Sequence, residues 1–180
     1  ISYGFESGSP RMLKTMMKHA TIEQMEEAAR VNRKFGMMLP VSFIIGMPGE
    51  NEESCQETVD FCVRNGIPLK SMMFATPYPG TSLFEQVLSE GRIPKEKVHD
   101  FVLTLADARD FTINLTDAFS DEELIAKRED MINEVNGKVK INRNENTKKL
   151  KDLFGNLISQ NGFDKKHLKH RSEHGGIDIF

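Results

Sequence analysis

Short apolar runs alternate with amphipathic stretches through the first half of the chain. Strand-like runs begin at Ile1 and extend from Met37 to Ile45 and from Leu69 to Thr76. The apolar residues between and after these runs recur at helical spacing. Alternation of this kind is typical of parallel sheets, in which helices connect successive strands. The pattern therefore predicts an α/β fold and, more specifically, part of an α/β barrel.

Local start signals support the helices. Ser9 precedes a proline, as at an N-cap followed by the first helical turn. Thr21 and Ser82 each open a capping box, and Asn51 is placed to cap the helix between the second and third strands. The predicted helix ends are Gly36, Asn65-Gly66 and Gly91.

After Pro94 the pattern indicates helices alone. An apolar stripe runs from Val98 to Leu105, Ser120 opens a second helix, and apolar positions from Leu150 to Ile158 indicate a third. Strand-like sequence returns only at Ile177–Phe180. We predict three regions: the C-terminal half of a barrel in residues 1–92, an all-helical region in 93–161, and a polar basic tail in 162–180.

Charge is unevenly distributed along the 180 residues, whose net charge is -3. Residues 138–171 carry ten lysines and arginines against three acids. Such a segment could bind nucleic acid or an acidic partner. Because aromatic residues that would stack on bases are sparse there, a solvated helix is the better interpretation. No apolar run approaches the roughly 18 residues that a membrane span needs, so no membrane association is expected.

Cysteine and histidine residues give no metal site by spacing. Cys55 and Cys62 lie two helical turns apart, about 10.5 Å, which is too far for a disulfide. We interpret both as small buried hydrophobic residues and expect a reducing, cytoplasmic location. Three histidines between His167 and His174 stand among lysines and an arginine, which would repel a cation.

Polar and small residues follow each predicted strand. Glu6 and Ser7 would place a carboxylate and a hydroxyl at the carboxyl end of the first strand. Gly46, after the second strand, would let a flat group approach the backbone closely. Two prolines stiffen the turn around Tyr78, after the third strand. Because ligands collect at the carboxyl ends of parallel strands, these residues predict a binding site.

Four of these segments resemble the radical S-adenosylmethionine (SAM) superfamily. They are Gly4–Ser9, Leu13–Lys18, Ile45–Glu50 and Thr76–Thr81. They most resemble the branch that contains cobalamin-binding, methylthiotransferase-like and coproporphyrinogen-oxidase-like enzymes. The resemblance implies a partial (β/α)6 TIM-like barrel, of which this chain would supply the fourth to sixth units. It also implies SAM and a [4Fe–4S] cluster as cofactors, with cobalamin in some members.

The same resemblance assigns roles to residues. Glu6 and Ser7 would contact the ribose or the amino-acid part of SAM, and Lys18 would lie near its carboxylate. Ile44 and Gly46 would pack on the adenine. The turn expected to close over the adenine edge contains Thr76, Pro77, Tyr78 and Gly80.

Two departures from the family pattern shape the interpretation. The fifth-strand pattern Gly-x-Ile-x-Gly-x-x-Glu has Ser42 at its first glycine and Gly49 at its acid, with Glu50 one residue late. Glu50 could instead favour the N-terminus of the next helix. The Cys-x3-Cys-x2-Cys motif that holds the cluster does not occur. We therefore interpret the chain as the C-terminal part of an enzyme that cleaves SAM reductively to a 5′-deoxyadenosyl radical, and we expect the chain alone to be inactive.

Two other hypotheses remain open at this stage. The chain could be a non-catalytic helical interaction module with a barrel remnant, whose basic segment 138–171 binds a partner or nucleic acid. It could also be a barrel lyase that needs no iron. A lyase would require a buried lysine or paired carboxylates at the strand ends, where Glu6 is the one clear candidate.

Overall fold

Three parallel strands form the centre of the structure. This computed structural model describes residues 2–35, 37, 39–70, 72–105 and 107–139. The strands lie side by side in chain order, as β1 (Tyr3–Glu6), β2 (Val41–Ile45) and β3 (Met72–Phe74). Because both strand pairs are parallel, the chain must cross over between them through helices. The predicted α/β class is confirmed.

Most helices begin where their caps predict. The side chains of Thr21, Asn51 and Ser120 each accept a hydrogen bond from the N–H of the third helical residue. The helices are α1 (Pro10–Thr15), α2 (Ile22–Lys34), α3 (Glu52–Arg64), α4 (Ser82–Ser89), α5 (Val98–Thr104) and α6 (Asp121–Lys138), with a 3₁₀ turn at Lys95–Lys97. Across the described ranges, none of them combines the length and the apolar character of a membrane span.

The predicted cap of α4 is wrong by one residue. Thr81, rather than Ser82, is the N-cap, and its hydroxyl accepts a hydrogen bond from the N–H of Phe84 at 3.2 Å. Thr81 also closes the preceding turn, because its N–H donates to the carbonyl of Tyr78 at 3.2 Å. The helix therefore starts directly from the turn.

Strands β2 and β3 are shorter than predicted. The N–H of Met37 donates to the carbonyl of Asn32 at 2.9 Å, which ties Met37 to the end of α2. The carbonyl of Leu69 accepts from the side chain of Asn136 at 2.6 Å. These residues thus satisfy their backbone groups outside the sheet. The predicted helix end at Gly36, the helix at 150–158, the strand at 177–180, the tail and nearly all of the basic segment lie outside the described residues.

One face of the sheet makes the larger hydrophobic core. Phe5, Phe43 and Ile45 are buried and alternate with partly exposed residues, which is the period of two expected of a strand. The ring of Phe61 from α3 meets those of Phe5 and Phe43 edge to face, at centroid distances of 5.9 and 6.3 Å. Both cysteines are buried here as free thiols, which confirms their predicted role.

Helix α6 belongs to this core, although the sequence pattern places it in the predicted all-helical region 93–161. Leu124 and Val135 are buried in the core, and the ammonium of Lys127 lies 2.7 Å from a carboxylate oxygen of Glu52 in α3. The described residues all fall within one compact unit, Ile1–Ile141. The packing therefore does not divide at residue 92, where the sequence pattern changes.

A second, smaller core lies beside the ends of β2 and β3. Ile44 and Met47 of the β2 end pack against it, as do apolar residues of α5. Its buried members are Ala75, Phe84, Val87, Ile93 and Leu115. Helices α4 and α5 are consequently held near the carboxyl ends of these strands.

Residues 107–111 cover the outer edge of β3. The N–H of Phe74 donates to the carbonyl of Ala108 at 2.7 Å, and the rings of Phe74 and Phe111 lie 5.3 Å apart. The guanidinium of Arg128 lies 4.4 Å from the centroid of Phe74 and donates to the carbonyl of Arg109 at 2.7 Å. The sheet is therefore protected at β3, while β1 forms its other edge.

Gly8 sets the distance between the end of β1 and α3. A Cβ at this position would lie 2.6 Å from the Cβ of Phe61 and 2.6 Å from the Cα of Thr58. Since one of those atoms belongs to the helix backbone, the neighbour cannot move aside alone. Only glycine allows this approach.

We expect Gly8→Ala to lower the free energy of unfolding by about 2 kcal/mol, because α3 must shift to admit the methyl group. Urea denaturation monitored by circular dichroism measures the change. Gly137→Ala is the control: nothing lies within 4 Å of its Cβ position in α6. That substitution should raise the free energy of unfolding by about 0.5 kcal/mol. Similar effects at both positions would contradict the close contact.

Candidate functional site

Two turns of the same type follow β2 and β3. In Met47–Glu50, the N–H of the fourth residue donates to the carbonyl of the first at 3.0 Å, and Tyr78–Thr81 closes in the same way at 3.2 Å. Gly49 and Gly80, at the third positions, have φ of +79° and +84°. Proline followed by a glycine with positive φ defines a type II turn. The two Pro-Gly pairs therefore build similar loops at neighbouring strand ends.

β1 ends in a tighter turn of three residues. The N–H of Ser7 donates to the carbonyl of Phe5 at 2.8 Å, and Glu6 between them has φ of +65°. A γ-turn of this hand is rare and strained for a residue with a side chain. Backbone strain of this kind clusters at functional sites. Glu6 is therefore the first residue to consider as part of a site.

The carboxylate of Glu6 is paired with Lys18. Its Oε1 lies 3.2 Å from Nζ, and the two side chains are 20% and 35% exposed, respectively. A Cβ at Gly4 would clash with the same carboxylate, so glycine is what lets the side chain fold back along the strand. An ion pair this accessible contributes about 1 kcal/mol or less to stability. Its importance is that it holds two opposite charges at a strand end.

Lys18 is positioned by the end of α1. Its N–H donates to the carbonyl of Leu13 at 2.8 Å, and the N–H of Met17 donates to Lys14 at 3.0 Å. These are the two hydrogen bonds of a Schellman motif. Met17 occupies the position where glycine is usual and has φ of +52°. Each member of the ion pair is thus placed by a non-glycine residue in the left-handed region: Glu6 by its own backbone, and Lys18 by that of Met17.

Ser7 faces the protein interior. It is fully buried, and its Oγ accepts from the N–H of Ser9 at 3.1 Å and lies 3.2 Å from Oγ1 of Thr58. Oγ1 of Thr58 also accepts from the N–H of Gly8 at 3.0 Å. Ser7 therefore anchors the Glu6 turn to α3. Its contact with a ligand stays a prediction.

Glu50 closes the β2 turn from inside. Its Oε2 accepts from the N–H of Gly46 at 2.5 Å and from that of Met47 at 3.3 Å, and the residue is 2% exposed. Burial raises the pKa of Glu50 from 4.5 to about 7, although the two N–H groups and the charge of Arg11 oppose this shift. The sequence suggested a role at the N-terminus of α3, but the carboxylate reaches back to the strand end instead.

Arg11 joins α1 to the same turn. Its guanidinium donates to the carbonyl of Gly49 at 2.7 Å and to Oδ1 of Asn51 at 3.0 Å. Sequence reasoning missed this residue, because an exposed arginine carries no local signal of a partner 38 residues away.

Gly46 has no side chain, so a neighbouring group can lie close to its backbone. In this structure that neighbour is the side chain of Leu124. Gly46 has φ of +93°, and a Cβ there would lie 3.2 Å from Cδ2 of Leu124 in α6. The expected packing of Gly46 on the adenine stays a prediction. Ile44 remains partly exposed and packs against the second core.

The other predicted residues lie in the β3 turn. The hydroxyl of Thr76 donates to the carbonyl of Phe74 at 3.1 Å, which fixes the start of the turn. Pro77 is buried, whereas Tyr78 and Gly80 are exposed.

The structure brings the predicted residues together at the carboxyl ends of the three described strands. Glu6 and Lys18 are in direct contact, and Ile44 and Gly46 lie at the end of the adjacent strand. The ends of β2 and β3 are joined by a hydrogen bond from the N–H of Ala75 to the carbonyl of Ile45 at 2.8 Å.

The cysteines do not fit an iron–sulfur cluster. Both are buried in the larger core as free thiols, and two cysteines are fewer than the three of the family's cluster motif. Within the part of the chain that the structure describes, no three His, Cys, Asp or Glu side chains are grouped to hold a metal ion.

No family model matches the chain, but curated relatives match about half of it. An uncharacterized methyltransferase of Pyrococcus horikoshii is 38% identical over 89 residues, which are 49% of this chain and 19% of that protein. Bacteriochlorophyllide d C-12(1)-methyltransferase of Chlorobaculum tepidum is 38% identical over 88 residues, 48% of this chain and 19% of the relative. Ribosomal protein uS12 methylthiotransferase RimO of Pelotomaculum thermopropionicum is 32% identical over 97 residues, 51% of this chain and 20% of the relative.

The strand-end geometry and the relatives together indicate the class of protein. A parallel sheet with charged and glycine-rich turns at its carboxyl edge is typical of α/β proteins that bind a ligand there. Over the matched half, the chain is related to the radical SAM superfamily, which confirms the resemblance seen in the motifs. The chain spans about a fifth of the length of these relatives.

The raised pKa of Glu50 predicts a pH dependence of stability. The folded protein binds this proton more tightly than the unfolded chain does. The free energy of unfolding should therefore fall as pH rises from 4.5 to about 7, by at most about 3 kcal/mol. Glu50→Gln should remove this part of the slope in urea denaturation at a series of pH values. Glu53→Gln, at an exposed position, should keep it. Equal slopes in both variants would contradict the assignment.

Proposed function

We propose that the chain is part of a radical SAM iron–sulfur enzyme and contributes strand ends that bind SAM. The observation that carries the proposal is the Glu6–Lys18 pair, held at the carboxyl end of β1 by two residues in the left-handed region. The relation to methyltransferases and methylthiotransferases over about half the chain supports it. The three strands would be the fourth to sixth of a partial (β/α)6 barrel.

Among the described residues, no strand pairs with the outer side of β1, which supports the barrel. β1 is an edge strand, whereas β3 is covered by residues 107–111. Gly4, Ser42 and Met73, on the face opposite the larger core, are all partly exposed. In a barrel this face would line the interior, and pairing would continue beyond β1.

The chemistry of the ion pair fits SAM. The carboxylate of Glu6 can accept hydrogen bonds from ribose hydroxyls or from an ammonium group, and the ammonium of Lys18 can pair with a carboxylate. The Thr76–Gly80 turn, stiffened by two prolines, presents backbone groups for the adenine edge at low entropic cost. Ile44 would add apolar contact. In this arrangement Gly46 shapes the loop through Glu50 and Leu124, and Ser7 positions Glu6.

SAM and a reduced [4Fe–4S] cluster together supply a 5′-deoxyadenosyl radical, as the resemblance implies. The residues described here bind and orient SAM only. Because the chain has two buried cysteines and no Cys-x3-Cys-x2-Cys motif, we propose that the cluster ligands belong to another part of the parent enzyme.

Equilibrium dialysis with radiolabelled SAM tests the binding proposal. We expect weak, saturable binding, with Glu6→Gln and Lys18→Met each lowering the affinity about fivefold, because each removes one charge of a partly exposed pair. Glu27→Gln is the matched control, since it breaks an exposed ion pair with Arg30 on α2. No saturation below about 10 mM, or equal affinity in all variants, would contradict the proposal.

The assignment of the cluster to another part of the parent has its own test. After anaerobic reconstitution with iron and sulfide and addition of a reductant, we expect the chain to form no 5′-deoxyadenosine above a protein-free control. Chromatographic detection of turnover would show that the chain itself supplies cluster ligands.

A further inference from the structure

A cavity of about 410 Å³ lies between the end of α1 and the first turn of α2. Its volume is within the range of sites for small molecules. Leu13, Met17 and Ile22 give it apolar walls. It adjoins the strand-end site, because Lys18 lines the cavity and also pairs with Glu6.

The charged lining of the cavity is mostly basic. Lys14, Lys18 and His19 present nitrogen donors. Of the described residues that line it, Glu23 is acidic, and a hydrogen bond with the side chain of Thr21 lowers the pKa of this carboxyl. Apolar walls with a basic rim match a molecule that has an apolar body and one anionic group.

The backbone at Met17 distinguishes this cavity from an ordinary surface groove. Its φ of +52° is costly for a residue with a side chain, and that side chain is 67% exposed. The same turn aims Lys18 through the Schellman hydrogen bonds. The turn therefore places an exposed apolar side chain beside the two lysines that line the cavity.

We propose that this cavity binds a small anionic molecule, with a carboxylate or phosphate on an apolar group, through Lys14, Lys18 and His19. An anion bound there competes with Glu6 for the ammonium of Lys18, so the cavity and the strand-end site are coupled. The coupling to SAM rests on the proposed function, whereas binding of the anion does not.

Phenyl phosphate and benzoate are suitable probes, and benzyl alcohol is the neutral control. Titrations of the full chain would be followed by amide chemical shifts in NMR spectra. We expect saturable shifts in residues 13–23 with at least one anion, and binding of benzyl alcohol at least about tenfold weaker. Comparison of the two anions shows whether phosphate or carboxylate is preferred. Equal binding of benzyl alcohol, or no saturation by either anion below about 10 mM, would overturn the proposal.

Variants separate this proposal from the SAM site. Lys14→Gln should weaken the preferred anion about threefold and leave SAM binding unchanged, while the exposed Lys70→Gln should change neither. Glu6→Gln removes the competitor for Lys18, so it should tighten anion binding about threefold and weaken SAM binding. Unchanged anion affinity in Lys14→Gln and Glu6→Gln would overturn the proposal. Loss of the SAM effects alone would count against the proposed function instead.

Discussion

The contact of Gly8 with the backbone of α3 is the constraint on which the strand-end geometry depends. A Cβ at residue 8 would collide with the backbone of α3, so the chain that leaves β1 passes directly against this helix. Ser7 is then fixed by Thr58, and the reversal of direction falls on Glu6 alone. Glu6 takes a left-handed conformation at this turn, and its carboxylate folds back along the strand to Lys18. The ion pair is thus a consequence of how β1 packs on its neighbouring helix.

The three strand ends differ in how they satisfy their backbone and charges. The β2 turn is closed from within, since Glu50 accepts its N–H groups and Arg11 holds its outer carbonyl. The β3 turn passes directly into the cap of α4 through Thr81. By contrast, the charges at β1 satisfy each other and remain accessible to water. A ligand at these strand ends would meet two loops closed by hydrogen bonds and one ion pair that can exchange its partner.

Local features of the structure could be predicted from the sequence, and distant pairings could not. The capping boxes at Thr21, Asn51 and Ser120 and the two Pro-Gly turns depend on residues within four positions of one another. The superfamily relation also followed from such short motifs. In contrast, the contact of Leu124 with Gly46 and the bonds of Arg11 join distant elements. The cap at Ser120 predicts that a helix begins there, but it does not show which sheet that helix covers.

The place of α6 in the larger core has a consequence for how the chain is made. The pair between Glu52 and Lys127 spans 75 residues, and Leu124 and Val135 cover side chains that lie much earlier in the sequence. During synthesis, a nascent chain that has already produced β1, β2 and β3 still lacks α6, which supplies part of their larger core. Its apolar surface stays open to chaperones or to aggregation until residues 121–138 leave the ribosome. The part of the larger core that includes α6 can therefore form only after residues 121–138 have been synthesised.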